Sequence, residues 1–243
     1  MLLLVLFGCN SENAIDCFQR TGDIVSKTVE VPDFTRILVL PNVELILKEG
    51  PETEIIIQSG EHLINEVNAW VEDDRLIVED TNDCNFARDF NQTKVFVTAP
   101  NISQIRSATQ FDISSDGVLS YPSLSLISED FNEDNGGNLT GTFHIEVDTQ
   151  RLGIVSNNIA SFFISGNVET LFVGFYSGTG RFEGADLIAQ DIEVFHRGTN
   201  KMILNPQQSI SGELRSTGDV IAMNRPSLID VQEYFTGTLI FED

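Results

Sequence analysis

The stretch FYSGTG, residues 175–180, returns twenty residues later as FHRGTN, residues 195–200. The same aromatic and Gly-Thr signal continues as LRSTGD (214–219) and YFTGTL (234–239). Its glycines, Gly178, Gly198, Gly218 and Gly237, recur at a nearly constant interval. A second set of breaks lies between them, at 165–166, 183–184, 205–206 and 225–226. Each repeat of about twenty residues is therefore predicted to hold two turns and two short strands.

This period predicts a β-solenoid. A unit of two short strands cannot bury its own apolar face, but stacked coils can, with equivalent strands about 4.8 Å apart. Glycine is expected where the chain turns with positive φ, and small Thr, Ser and Asn neighbours can stack along the axis. An antiparallel β-sandwich stays open as the alternative, because closely spaced short strands suit both folds.

The N-terminal half shows strand alternation without the repeat. Apolar residues at every second position predict half-buried strands at Ile37-Val39, Val43-Leu45-Leu47, Ile55-Ile57, Leu76-Val78 and Val95-Val97. The best helical candidate is EHLINEVNAW (61–70), with one or two turns as its limit. We therefore expect an all-β chain with a single domain over residues 27–243.

The charge balance argues against nucleic acid as a partner. The 243 residues carry 14 Lys and Arg against 37 Asp and Glu, a net charge of −23 that is spread along the chain. Such a surface repels phosphate backbones and anionic lipid heads. It is typical of a soluble surface outside the cell.

The first ten residues, MLLLVLFGCN, resemble the end of a bacterial lipoprotein signal peptide. The apolar run is shorter than the roughly 20 residues that span a bilayer, and a small residue precedes Cys9. The resemblance predicts a signal peptide at 1–8, lipid on Cys9, and a tether and N-terminal cap over 9–26. No Lys or Arg precedes the run, and an ordinary apolar first strand is the alternative.

Two cysteines remain after Cys9, at Cys17 and Cys84. In an oxidising compartment an even pair predicts a disulfide between them. Two buried free thiols are the alternative if the protein is cytosolic. No CxxC motif or nearby His suggests a metal site.

No motif in the chain indicates catalysis or a cofactor. His62, His144 and His196 stand alone, without HExxH or His-x-His spacing, and no GxSxG elbow is present. The segment SEDFNEDNGGN (128–138) partly follows a calcium loop, but its glycine comes one residue late and position twelve is Gly141. It is interpreted as an exposed acidic turn, with calcium binding left open. No catalytic or metal-binding residue is therefore predicted.

Several segments together resemble the head GIN domain family of putative autotransporter adhesins of Bacteroidetes. They are Cys17-Phe18 with Thr21-Gly22, FTRILVLPNVELILKEG (34–50), SGEHLINEV (59–67), DRLIVED (74–80), CNFARDF (84–90), KVFVTAPNISQIRSA (94–108) and the tail 209–240. The resemblance implies a right-handed parallel β-helix similar to pectin lyase-like solenoids, and it supports the Cys17–Cys84 bridge. The chain departs from the family's usual Gly-Ser-Gly turns at 107–110, 156–158 and 197–200.

The resemblance also implies a function. It favours a non-enzymatic, lipid-anchored extracytoplasmic protein at the outer membrane or cell surface, which binds a glycan or protein ligand in adhesion. The membrane would be reached through the lipid anchor, and oligomer formation is left open. Because pectin lyase-like solenoids include polysaccharide lyases and hydrolases, a carbohydrate-active enzyme is the alternative, although fold alone lends no activity.

Overall fold

The computed structural model describes residues 20–82, 93–130 and 140–242. These residues form one mixed sheet of 17 strands. The strands are β1 (Ile24–Val29), β2 (Arg36–Val39), β3 (Glu44–Glu49), β4 (Glu54–Gly60), β5 (Val67–Glu72), β6 (Arg75–Asp80), β7 (Lys94–Ala99), β8 (Gln104–Ser107), β9 (Ile113–Leu119), β10 (Ser123–Ser128), β11 (Thr142–Ser156), β12 (Ser161–Phe175), β13 (Arg181–His196), β14 (Met202–Leu214), β15 (Val220–Ala222), β16 (Leu228–Glu233) and β17 (Leu239–Phe241).

The all-β prediction is confirmed. Each alternating segment predicted in the N-terminal half coincides with a strand, namely β2, β3, β4, β6 and β7, although Val43 lies one residue before β3. The helical candidate at 61–70 forms only a 3₁₀ turn, Ile64–Glu66, and its last residues belong to β5. In the described part of the chain no helix is long and apolar enough to cross a membrane.

The strands lie in two stacks that face each other across the core. The first stack contains β4, β7, β3, β9, the first halves of β11 to β14, β15 and β17, paired in that order. The second contains β5, β6, β2, β8, β10, the second halves of β11 to β14, and β16. Strand β1 extends the first stack by pairing with β4.

Pairing in the C-terminal half is parallel and follows the sequence repeat. In the second stack Leu152 pairs with Leu171, Leu171 with Ile192, Ile192 with Ile210 and Ile210 with Ile229. Successive partners are thus about one sequence repeat apart. Pairing β1–β4, β4–β7 and β5–β6 is antiparallel. The whole is a nearly closed mixed sheet, and neither a uniform parallel solenoid nor an antiparallel sandwich describes it.

The repeat does not consist of two short strands per coil, as the sequence predicted. Strands β11 to β14 run for 13 to 16 residues, and the expected breaks at 165–166, 183–184 and 205–206 lie inside them. Gly166 shows how a strand can bend without ending. Its φ is +107°, and a Cβ there would lie 1.9 Å from the Val147 carbonyl oxygen of the neighbouring strand. The bend therefore keeps the ladder paired where the sequence indicated a turn.

The recurring glycines are needed for close packing more than for positive φ. Among Gly178, Gly198, Gly218 and Gly237, only Gly178 has a positive φ, +85°. The four turns stack directly on one another. A Cβ on Gly237 would lie 2.3 Å from the carbonyl oxygen of Gly218, and one on Gly178 would lie 2.2 Å from that of Asn158. At Gly178, Gly218 and Gly237 only a residue without a side chain lets the backbones approach this closely, whereas at Gly198 the nearest atom to a Cβ would be His196 Cε1, at 3.1 Å.

Inward side chains of both stacks form one continuous apolar core. The Phe143 and Phe162 rings stack with centroids 4.8 Å apart, at the spacing of neighbouring strands, and Phe175 tilts against Phe162 at 5.7 Å. Each fully buried large side chain contributes about 1.5 to 3 kcal/mol of stability. Because side chains alternate along a strand, the residues next to these point away from the core.

Several buried polar groups have specific partners. Arg106 forms an ion pair with Glu129, with 2.8 Å between guanidinium nitrogen and carboxylate oxygen. The Tyr121 hydroxyl donates to the Ala99 carbonyl at 3.0 Å. These contacts satisfy groups that would otherwise cost stability in a low-dielectric interior.

Candidate functional site

A stacked pair of exposed rings lies on the outer face of the first stack. His144 of β11 and Phe163 of β12 are register partners, and their ring centroids are 5.0 Å apart with planes 10° from parallel. Both point outward because their neighbours Phe143 and Phe162 point into the core. Phe163 is 38% exposed and the His144 side chain 48%. Two stacked exposed rings are a more specific feature than the single apolar residues that are normal on protein surfaces.

Both strands that flank the pair are bulged. In β9, residues 115–117 are inserted between the partners of His144 and Glu146, where β11 has a single residue. In β13, residues 184–186 lie opposite only two residues of β12. Strands β11 and β12 keep continuous register with each other between these bulges. The ring pair therefore occupies a two-strand floor with a bulge on each side, and bulges commonly redirect side chains next to functional sites.

Side chains replace the ladder hydrogen bonds that the bulges disturb. The backbone N–H of Glu146 donates to Ser115 Oγ at 3.0 Å, across the β9 bulge. On the other side, Asn205 Nδ2 donates to the Ala185 carbonyl at 2.9 Å. Each bulge is thus held by a specific contact before any ligand arrives. Such preorganisation lowers the ordering cost of binding.

We call this recess the bulge notch. Its lining residues come from four neighbouring strands: Ser115, His144, Ile145, Glu146, Phe163, Ile164, Ser165, Glu183, Ala185 and Asp186. Its volume is about 430 Å³, within the size range of small-molecule sites. The notch is open to solvent along the sheet face, so it suits one unit of a longer ligand better than an enclosed small molecule.

Carboxylates surround the ring pair in two groups. Glu183 is paired with Arg181, and Asp112 lies 4.0 Å from His144 Nε2. Glu146 and Asp186, in contrast, have no side-chain partner among the described residues. These two carboxylates are available as hydrogen-bond acceptors at the rim of the notch.

The other two histidines do not line the bulge notch, and each contacts neighbouring residues of the fold. His196 is fully buried, and its Nε2–H donates to the Asn200 carbonyl at 2.7 Å while the Gly198 N–H donates to Nδ1 at 3.4 Å. Burial lowers the pKa of His196, because the charged imidazolium is poorly solvated there. His62 lies 3.5 Å from Glu61. In the described residues no cluster of three or more His, Cys, Asp or Glu is placed to hold a metal ion.

The structure describes only some of the other predicted site residues. Cys9, Cys17 and Cys84 lie outside the described residues. The acidic turn at 128–138 is described only as far as Asp130, which accepts a hydrogen bond from Asn157. The lipid site, the disulfide and the calcium question therefore stay predictions.

A second surface recess is larger but less specific. It has a volume of about 660 Å³ and is lined by residues 28–31 and 51–54 with Thr98. Its lining consists of carboxylates, hydroxyls and small apolar groups, without a ring. A collection of acidic side chains does not by itself indicate a ligand, so the bulge notch is the stronger candidate site.

Sequence reasoning missed the notch, although a signal was present. The segments TFHI (142–145) and SFFI (161–164) are nineteen residues apart, close to the interval of the glycine turns. Each carries an outward aromatic ring between two inward apolar residues, so the interval alone places His144 beside Phe163. The sequence shows no comparable signal for the bulges, because a residue is an insertion only in relation to the strand that it pairs with.

Comparison with known proteins agrees with this architecture. A family described as putative auto-transporter adhesin, head GIN domain, matches residues 33–226. Among proteins with curated descriptions, none matches the chain.

Solved structures with the same fold come from Bacteroides and Parabacteroides species. A putative adhesin from Bacteroides fragilis has a TM-score of 0.79 and 17% identity, covering 92% of this chain and 99% of that one. A putative lipid binding protein from Parabacteroides distasonis has a TM-score of 0.60 and 10% identity, covering 91% and 98%. A putative adhesin from Parabacteroides merdae has a TM-score of 0.57 and 14% identity, covering 91% and 97%. At these identities the likeness concerns the fold alone.

Proposed function

Because the chain belongs to the head GIN domain family of putative auto-transporter adhesins, we propose that it is a non-enzymatic binding protein that works in attachment at the cell surface. The observation that carries this proposal is the bulge notch. An open recess with an exposed ring pair and free acceptors can hold a surface ligand reversibly. The strongly acidic chain, with a net charge of −23, excludes nucleic acid as a partner in this proposal.

The proposal includes a lipid anchor on Cys9 in an extracytoplasmic compartment. The first strand begins at Ile24. The segment from Cys9 to that strand, if fully extended, reaches at most about 50 Å. A tether of this kind would hold the sheet faces away from the membrane that carries it. A disulfide between Cys17 and Cys84 would tie the tether to the folded body.

The parallel half of the sheet is further proposed to wind as a right-handed solenoid. Parallel partners about one repeat apart, such as Leu171 and Ile192, support one coil per repeat. Right-handed connection between parallel strands is also the strongly preferred hand in proteins. A crystal structure of the chain would measure the hand directly.

The alternative function is a carbohydrate-active enzyme on the same scaffold. Such an enzyme needs paired carboxylates in acid and base roles, or a calcium site with a nearby base. In the notch, the Glu183 carboxylate is engaged by Arg181 and is not presented to a substrate. Release of reducing ends or unsaturated sugars from polysaccharides by the purified chain would overturn the non-enzymatic proposal.

Two measurements test the proposal. Cells that express the chain are labelled with fatty acid and compared with a Cys9→Ala variant; loss of label and release of the protein from membranes support the anchor. Adhesion of the expressing cells to mucin-coated and polysaccharide-coated surfaces is then measured against cells without the gene. Equal adhesion of the two strains would contradict the attachment function.

A further inference from the structure

We propose that the corner of the sheet where the glycine turns stack binds an acidic polysaccharide through its carboxylates. The inference rests on the proposed binding function and adds a second contact surface, distinct from the bulge notch, with a stated class of ligand. A column of exposed side chains at the end of the second stack carries it, together with the cations there that lack an ion pair.

This column lies immediately after the second-stack strands in four successive coils. The backbone N–H groups of Arg197, Arg215 and Tyr234 each donate to a carbonyl of the preceding coil, and that of Tyr176 donates to the Ser156 carbonyl, all at 2.7 to 2.8 Å. The four side chains are exposed. Since neighbouring strands are about 4.8 Å apart, the column from Tyr176 to Tyr234 is about 14 Å long. We call these four residues the turn ridge.

The ridge presents a guanidinium without a counter-ion. The Arg197 side chain has no ion-pair or hydrogen-bond partner in the part of the chain that the structure describes, and its ridge neighbours Tyr176 and Arg215 offer no carboxylate. Lys201, at the other end of the same turn, also lacks an ion pair within the described ranges. A guanidinium can bind a carboxylate through two parallel N–H donors. The turn at 197–201 is therefore complementary to an anionic ligand.

The side chains on both sides of the unpaired guanidinium are held in place. Arg215 is paired with Glu213, with 2.5 Å between Nε and the carboxylate oxygen, and its guanidinium lies 4.3 Å from the centre of the Tyr234 ring. On the other side, the Tyr176 ring packs on Phe195 with centroids 5.0 Å apart. These contacts form before any ligand arrives, which lowers the ordering cost of binding.

An acidic polysaccharide matches both kinds of group on the ridge. Each uronate unit carries a pyranose ring and a carboxylate, so a short run of units can bring carboxylates to Arg197 while its carbon-bound hydrogens contact aromatic side chains. Tyr176 is 38% exposed and Tyr234 is 51% exposed. An acidic peptide such as polyglutamate has no rings and loses more conformational freedom on binding. The ridge is therefore assigned to a uronate-containing glycan.

The acidic remainder of the chain limits the affinity without excluding this ligand. The net charge is −23, but exposed charges farther apart than about 8 Å are largely screened at physiological ionic strength. Close to the ridge, Glu213 is neutralised by Arg215, and Asp219, one coil from Lys201, accepts from the Thr238 N–H at 2.9 Å. The local cations therefore decide the sign of the interaction, and binding should weaken as the salt concentration rises.

The test measures binding of the purified full chain to immobilised polymers by biolayer interferometry in calcium-free buffer. The probes are polygalacturonate, the same polymer fully methyl-esterified so that it keeps its rings and loses its charge, polyglutamate, and double-stranded DNA. We expect binding to polygalacturonate that weakens about tenfold or more between about 0.05 and 0.5 M salt. No binding to polygalacturonate, or equally tight binding to any one of the other three probes, overturns the inference.

Variants then place the binding on the ridge. Arg197→Gln removes the unpaired guanidinium and is expected to weaken polygalacturonate affinity about tenfold, and Lys201→Gln is expected to weaken it as well. Arg151→Gln is the matched control, because it makes the same change of net charge at an exposed arginine that also lacks an ion pair within the described ranges. Arg151 lies at the opposite end of the second stack from the ridge. Equal affinity of Arg197→Gln and wild type, or an equal loss in Arg151→Gln, would contradict the assignment.

The failure of this inference is distinguishable from failure of the proposed function. Cells that adhere through the wild-type chain and equally through Arg197→Gln would retain the attachment function and exclude the ridge. Cells whose adhesion does not depend on the chain at all would exclude the function itself. Thermal unfolding of each variant confirms that the substituted chains are folded, since exposed positions are expected to change stability little.

Discussion

Replacing Gly218 by alanine tests whether the repeat glycines are needed for close packing. A Cβ at this position would lie 2.2 Å from the Asn200 carbonyl oxygen and 2.3 Å from His196 Nε2. Both atoms belong to the same stacked turn, where His196 Nε2 and the Asn200 oxygen are joined by a hydrogen bond of 2.7 Å. The added methyl group cannot be accommodated without separating these groups.

The expected loss of stability follows from those contacts. Overpacking in a tight site costs about 1 to 3 kcal/mol, and loss of a buried hydrogen bond adds about 1 to 2 kcal/mol. Gly218→Ala should therefore lower the free energy of unfolding by about 2 to 5 kcal/mol. Because Gly218 lies outside the positive-φ region, an explanation from backbone conformation alone would predict almost no effect.

The assay is urea unfolding followed by far-ultraviolet circular dichroism, with Gly153→Ala as the matched control. Gly153 also lies in a strand of the repeat, but the nearest atom to its Cβ position is Ser125 Oγ at 3.4 Å. Alanine there should be neutral or raise stability by about 0.5 to 1 kcal/mol. A loss below about 1 kcal/mol for Gly218→Ala would refute the close-packing explanation.

Three further predictions concern buried polar groups. Burial lowers the pKa of His196 in the folded chain, so the unfolded chain binds a proton at this histidine more readily. The free energy of unfolding should therefore fall as the pH drops below about 6.5. His196→Gln should reduce this pH dependence, measured by urea unfolding at pH 7.5 and 5.5. Arg106→Met removes the ion pair with the buried Glu129 carboxylate and should lower the free energy of unfolding by about 1.5 to 3 kcal/mol, whereas the double variant with Glu129→Met should lose less by the same assay. Tyr121→Phe removes the donor to the Ala99 carbonyl and should cost about 1 to 3 kcal/mol; an unchanged unfolding midpoint would contradict the role of that hydrogen bond.

Local sequence patterns were sufficient for the strands themselves. Alternation at Val95 and Val97 predicted β7, and the glycine interval predicted the stacked turns, because both patterns reflect burial within a few residues. The reason that the sequence suggested for the turn glycines, a positive φ, was wrong for three of the four. Positive φ is a local property, whereas close approach depends on which backbone lies in the neighbouring turn.

Long-range pairing in the N-terminal half could not be read from the sequence. Ile37 lies between Leu76 and Ile105, two partners that are far from it along the chain. Neither separation matches the C-terminal repeat. The antiparallel pairings of β1 with β4 and β5 with β6 likewise interrupt the parallel pattern. Strand alternation states which side of a strand is buried and leaves open which strand lies beside it.

The sequence by itself determined the all-β class, the C-terminal period and the family of this protein, since each depends on residue order along the chain. The tertiary structure alone decided the two bulges that enclose the notch. His144 and Phe163 form a ring pair because β11 and β12 lie side by side, and residues 115–117 and 184–186 form its walls because the strands beside them have fewer residues there. A bulge is a mismatch between two strands, so its position is a property of their pairing and of neither strand alone.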